Sequence, residues 1–224
     1  MIYGSCLLCP DRVDNDNILC DECLRFALFL KRKCSRCGAF SIIDGLNGCG
    51  SCNGRKIWFD SIFTPYLYCG SISNLISTMK YGKNISYAAI LGNHLASLLD
   101  KQTFAGSTVI FPPMSFFNKL KRSFNQSEIF AEKIGAKLNL KIEKDLLTKI
   151  KKTKPQASLT YDKRLKNLEG AFKLKKDLKD KDFLLVDDVC TTFSTVNIIA
   201  ELLKKNGAKN IKVVTLARTS PYFG

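Results

Sequence analysis

At 224 residues, 46% of them apolar, the chain is long enough for one ordinary domain plus a small satellite, and too apolar for disorder throughout. No apolar run approaches the roughly 18 residues needed to span a bilayer. Residues Met1 to Cys9 lack the basic flank and apolar stretch of a secretory signal, so a cytoplasmic protein without membrane insertion is expected. The formal net charge is +15 and unevenly placed. Residues 1–60 hold eight basic and seven acidic side chains, whereas residues 119–181 hold 19 and eight, a field that attracts polyanions. A lysine-rich solvated surface is the competing reading, because charge alone does not specify nucleic acid.

Eight of the ten cysteines fall in four C-x-x-C pairs: Cys6/Cys9, Cys20/Cys23, Cys34/Cys37 and Cys49/Cys52. Two intervening residues let both thiolates reach one tetrahedral ion from a tight turn. A redox-active dithiol of thioredoxin type is the alternative, but that motif normally occurs once, at a helix start. Four regular copies therefore point to two structural zinc ions. The gaps between pairs are 10, 10 and 11 residues. Sequential pairing closes the shorter loops, while an interleaved pairing stays open on spacing alone. Cys69 and Cys190 stand outside the pattern. Composition changes near Trp58, which suggests a cysteine-rich domain at 1–58 and a second domain at 59–224.

The second segment alternates helices and strands. Ile72, Leu75, Ile76 and Met79 follow helical spacing, with Ser71 or Ser73 as the expected cap. A helix from about 85 to 99 puts Leu91, Leu95 and Leu98 on one side, and places His94, the sole histidine, in packing or solvent. Residues 107–112 form a short strand stopped by Pro112-Pro113. Residues 127–138 return to helical period through Phe130, Ile134 and Leu138. Phe183 to Val186 is an apolar run suited to a strand buried on both faces. Residues 195–206 are helical up to Gly207, and 211–217 close as a strand. Such alternation implies an α/β fold with a mainly parallel sheet.

The segment F-L-L-V-D-D-V-C-T-T-F-S-T, residues 183–195, carries the most chemistry. A buried strand delivers Asp187 and Asp188 at its carboxyl end, where α/β folds place ligands. A turn with Thr191, Thr192, Ser194 and Thr195 then leads into a helix N-terminus. Backbone N–H groups, helix dipole and hydroxyls suit a phosphate; paired carboxylates suit a ribose diol or magnesium.

This segment resembles the phosphoribosyl-pyrophosphate (PRPP) signature of type I phosphoribosyltransferases, in which two acids precede T-T-G-x-T. The resemblance implies that Asp187 and Asp188 are the catalytic pair facing the ribose hydroxyls, with Val189, Cys190, Thr191, Thr192, Phe193, Ser194 and Thr195 around the 5′-phosphate. Three other blocks are similar to those of the ComF competence proteins: M-K-Y-G at 79–82, K-L-K-R-S-F-N-Q at 119–126, and T-K-P-Q-A-S-L at 153–159 with Arg164 and Asn167 beyond. With the cysteine head, the resemblance covers nearly the whole chain. It implies a phosphoribosyltransferase-type sheet behind a zinc-ribbon-like domain, with Arg122 pairing phosphate oxygens.

The sequence departs from the family pattern at two loop glycines, which are Ser123 and Phe193 here. A bulky residue tolerates positive φ poorly, so the turn at 193 either takes another path or binds PRPP weakly. That leaves enzymatic activity open.

By the same resemblance, the expected function is handling of imported single-stranded DNA in natural transformation. The alternative is an active enzyme that transfers phosphoribosyl from PRPP, with magnesium, to a nitrogen acceptor. A third reading is an adaptor docking the DNA-uptake helicase or another competence protein. Lys119, Lys121, Lys149, Lys151, Lys152 and Lys154 are the candidate DNA contacts. Phe116, Phe117, Phe124 and Phe172 are candidate stacking partners, with core packing as their alternative.

Overall fold

The computed structural model describes residues 4–13, 18–27, 29–41, 48–82, 84–114, 123–151, 166–175 and 178–220. The cysteine-rich segment holds little regular structure. Strands β1 (Gly4–Ser5) and β2 (Arg12–Val13) pair antiparallel, and α1 (Asp21–Arg25) is a single turn with no buried residue.

The next segment opens with β3 (Ser61–Phe63) and β4 (Tyr66–Leu67), which sequence periodicity did not reveal. Pro65 lies between them; its carbonyl accepts from the Leu30 amide at 2.7 Å, and it has no N–H to continue a ladder. Helix α2 (Gly70–Tyr81) buries Ile72, Leu75, Ile76 and Met79 as their spacing requires. Neither expected serine caps it. Cys69 is the N-cap, Ser71 instead donates to the Cys23 carbonyl at 2.9 Å, and Ser73 turns back to Gly70. Helix α3 (Ile85–Ser97) is capped by Asn84 and stops two residues short of expectation, leaving Leu98 half-buried at its C-cap. Helix α4 (Lys101–Phe104) is one turn capped by Asp100.

Strand β5 (Thr108–Ile110) ends before the two prolines, and α5 (Gln126–Leu138) packs across α3. Gly92 makes that crossing close, because a Cβ there would lie 3.1 Å from the Lys133 side chain and 3.4 Å from the Phe130 backbone. Strands β6 (Leu147–Lys149) and β7 (Phe172–Leu174) form a small antiparallel ribbon. Strand β8 (Phe183–Cys190) runs four residues further than its apolar stretch, carrying both aspartates inside the ladder. Helix α6 (Ser194–Lys205) and strand β9 (Ile211–Arg218) complete the chain. No helix of the described residues is long and apolar enough to cross a membrane.

The main sheet is parallel throughout, in the order β3-β9-β8-β5, with β4 extending the β9 edge. Alternation along its central strands separates two cores. Leu184, Val186, Val214 and Leu216 face α2, α3 and α5, together with Cys6 and Cys20. Phe183, Leu185, Ile211 and Val213 face α6 and the β6–β7 ribbon, together with Cys34, Cys37 and Cys52. The cysteine-rich segment thus sends one pair of knuckles into the core of each sheet face.

Candidate functional site

The eight paired cysteines gather into two sets. In each, Cys6-Cys9-Cys20-Cys23 and Cys34-Cys37-Cys49-Cys52, all four Sγ atoms lie within 4.8 Å of one another. The pairing is sequential. Individual separations are 3.5 Å for Cys9–Cys20, 3.5 Å for Cys37–Cys49 and 3.8 Å for Cys34–Cys52. A tetrahedron with metal–sulfur bonds of ~2.3 Å has edges of about 3.8 Å, so both sets match the shape a single ion needs. Backbone amides point at the sulfurs as well, Leu8 N–H to Cys6 at 3.5 Å and Cys49 N–H to Cys52 at 3.4 Å. Cys69 and Cys190 belong to neither set.

Asp187 and Asp188 sit in the carboxyl-terminal half of β8, beyond its pairing with β5 and while it still pairs with β9. The Ser127 hydroxyl, in the first turn of α5, donates to Asp187 Oδ1 at 2.7 Å, and the Asp188 amide donates to the same oxygen at 2.9 Å. Asp188 accepts from the Val189 amide at 2.7 Å and pairs with Lys80 Nζ, from the last turn of α2, at 2.8 Å. Burial pushes the Asp187 carboxyl up to about 7; the neighbouring Asp188 charge adds to the rise, and the Ser127 hydroxyl, the Asp188 amide and Lys80 act against it. Lys80 thus balances Asp188, and the net negative charge that suits a metal ion or hydroxyl donors develops on Asp187 as pH rises through about 7.

The turn that follows enters α6 without a capping side chain. The Phe193 amide is directed at the Cys190 thiol, and the helix dipole gives the turn a positive potential that suits an anion. Thr191, Thr192 and Thr195 are half-buried around it, and the Thr192 and Ser194 hydroxyls are 2.7 Å apart. Cys190 is a buried packing residue whose thiol is pushed up by burial.

Phe193 answers the question raised by the missing glycine. Its backbone is left-handed, φ 51° and ψ 6°, despite the side chain. The ring is 2% exposed, meets Phe59 edge-on at 6.5 Å, and lies under the Arg55 and Arg218 guanidinium groups at 5.9 and 5.7 Å. Ser123, the other replaced glycine, is also left-handed, φ 66°, but exposed. Opposite outcomes are expected on restoring glycine at the two positions. Ser123→Gly removes strain and should leave stability unchanged or higher by up to ~1 kcal/mol. Phe193→Gly loses a buried ring for the same relief and should cost about 2 kcal/mol in chemical denaturation.

Among the other expected contacts, Arg122, Lys119, Lys121, Lys152 and Lys154 lie outside the described residues, as do Phe116, Phe117, residues 153–159 and Arg164. Lys149 is half-buried in β6 with its ammonium 5.9 Å from the Phe172 ring, and burial lowers its pKa. Exposed Lys151 donates to the Glu169 carbonyl at 3.3 Å. Neither contact joins the turn at 187–195. Phe172 is 7% exposed in the core and offers no face to a base; Phe124 is half-buried against α5's core. His94 hydrogen-bonds and stacks on Tyr66, a packing role. Sequence reasoning missed Ser127 and Arg218, although a charged residue ending the apolar strand β9 was a visible signal for the second.

A family model described as "Phosphoribosyl transferase domain" matches residues 124–221. The DNA utilization protein YhgH of Escherichia coli O6:H1 is 30% identical over 225 residues, covering 97% of this chain and 98% of that one. Competence protein F of Haemophilus influenzae is 28% identical, covering 83% and 84%. The chain belongs to the ComF family. Among solved structures, a purine phosphoribosyltransferase from Pyrococcus horikoshii has 19% identity and a TM-score of 0.36, covering 61% of this ComF chain and 89% of that protein.

Proposed function

We propose that this ComF chain handles single-stranded DNA imported in natural transformation, in the cytoplasm, and binds PRPP with magnesium at residues 187–195. The observation that carries the ligand reading is the α6 N-terminus, capped by no side chain, one short turn after Asp187, held by Ser127, and Asp188, paired with Lys80. In this reading Asp187 and Asp188 accept from the ribose hydroxyls and hold magnesium, which would neutralise the pyrophosphate. The turn at 191–195, with its hydroxyls and the α6 dipole, takes the 5′-phosphate, and Lys119, Lys121, Lys149, Lys151, Lys152 and Lys154 take the DNA backbone. The two cysteine sets hold zinc, which fits all-sulfur tetrahedral donors. The competence role is supported by the relatives' names.

The match to a phosphoribosyl transferase domain favours one further reading, transfer of phosphoribosyl to a nitrogen acceptor. Isothermal titration with PRPP and magnesium tests the ligand, and pyrophosphate release tests the enzyme. For DNA, single strands should bind with a steep salt dependence, log K falling by ~0.7 per phosphate contacted for each tenfold rise in salt. A flat salt response would remove the DNA reading.

A further inference from the structure

Arg218 is an unusual residue for the end of a buried strand. It is 2% exposed, and among the described residues no carboxylate lies within ion-pair reach of its guanidinium. Its donors go instead to backbone on two sides. Nε donates to the carbonyl of Cys37 at 3.3 Å; one terminal nitrogen donates to the carbonyl of Cys190 at 2.9 Å and to the Thr219 carbonyl at 3.3 Å. Thr219 then donates from Oγ1 to the Thr191 carbonyl at 2.9 Å. One buried cation therefore ties Cys37, a member of the second cysteine set, to Cys190 directly and to Thr191 through Thr219, where the phosphate turn begins.

Phe193 makes the second tie. Its left-handed backbone is the pivot between β8 and α6, and its ring fills the space walled by Phe59, Arg55 and Arg218. Arg55 follows Cys52 by three residues, and its own terminal nitrogen donates to the Ser51 carbonyl at 2.7 Å. The Arg55 side of that wall is thus anchored to the knuckle that an ion in Cys34-Cys37-Cys49-Cys52 would hold. Asn197, in the first turn of α6, accepts from the Trp58 amide at 2.8 Å and donates to the Lys56 carbonyl at 2.9 Å. Four sulfurs and one dication also make a group of net negative charge beside a guanidinium with no acid partner among the described residues.

We propose that Arg218 is a positioning residue for the phosphate turn, and that through it and Phe193 the second cysteine set and the sugar-phosphate site form one coupled unit. This rests on the PRPP reading of the turn. Because coupling is reciprocal, a ligand in the turn must tighten the hold on metal in that set, by a factor on the order of tenfold. The first cysteine set packs on the other sheet face and lacks these ties.

The test uses the full-length metal-loaded protein. Metal release to excess chromogenic chelator is followed with magnesium alone and with magnesium plus PRPP, beside calorimetry of PRPP binding. The release phase missing from Cys49→Ser should slow about tenfold with PRPP, and the other phase should not. Arg218→Lys keeps the charge but loses the planar fork, and Phe193→Leu keeps bulk but loses the ring. Both should still bind metal, with the ligand-dependent slowing cut to less than about twofold. No PRPP binding by the wild type overturns the sugar-phosphate reading and this inference with it. PRPP binding with both release phases unchanged overturns the coupling alone. Slowing that persists undiminished in both variants removes Arg218 and Phe193 as the link.

Discussion

Chelating the metal is expected to unfold the cysteine-rich segment and to lower the melting temperature of the whole chain. The physical reason is how little else holds that segment. Its two strands have two residues each, and its helix has five residues of which none is buried. A helix that short has almost no stability of its own in water. Five of its buried side chains, Cys6, Cys20, Cys34, Cys37 and Cys52, are candidate ligands. A structural zinc ion in such a setting supplies ~10–16 kcal/mol of folding free energy at neutral pH. The effect should not stop at residue 58, because each set is packed into the core of one sheet face. If only ~4 kcal/mol were transmitted to the rest, the melting temperature would fall by about 8–16 °C in a chain of this size. Calorimetric scanning with and without chelator measures it. Trp58, the single tryptophan, lies against α6 through Asn197, so its fluorescence should shift to the red in step. An unchanged melt after verified metal removal would show that the sulfurs are not a structural centre.

The parts of this fold legible from sequence are those whose signal is local. The β8–α6 unit announced itself because an apolar run, two acids and a set of hydroxyls follow one another without interruption. Strands β3 and β4 did not, since two or three residues carry no period, and only pairing with β9 makes them strands. The start of α2 was misread for a similar reason. Serines at 71 and 73 have the right chemistry for a cap, but Gly70, at φ 51°, brings the chain against the Phe26 carbonyl, 2.5 Å from where a Cβ would sit. That contact comes from the cysteine-rich segment and fixes the helix entry at Cys69. Phe193 shows the limit most clearly. Its neighbours Phe59, Arg55 and Arg218 come from remote segments, so the sequence could flag the lost glycine without revealing the pocket that replaces it. The cysteine pairing was likewise open on spacing, and the three-dimensional sulfur positions decide it.

Asp187→Asn should abolish the response to PRPP with magnesium while making the protein more stable at pH 8. The carboxyl is raised from its ordinary 3.8 to about 7, mainly by burial, then by the Asp188 charge. For an acid raised in this way the native state keeps a proton that the unfolded chain has already released. Stability therefore falls as pH rises from about 4 to about 7, and the penalty is complete above that range. Asparagine carries no charge to desolvate and still accepts from the Ser127 hydroxyl, so the variant should gain about 1–2 kcal/mol at pH 8 and little near pH 4. Ligand binding runs the other way. Ribose hydroxyls and a cation need the carboxylate, so wild-type affinity should climb between pH 6 and 8 by up to about tenfold per unit below the pKa. Loss of a charge-assisted acceptor and of half the metal-binding charge should weaken binding on the order of 100-fold. Lys80→Met tests the same electrostatics from the partner side: without the cation 2.8 Å from Asp188, which also holds Asp187 down, Asp187 should titrate higher, and the pH at which binding sets in should rise. A variant that melts lower at pH 8 and binds PRPP as the wild type does would make Asp187 a structural acid, with no ligand to wait for.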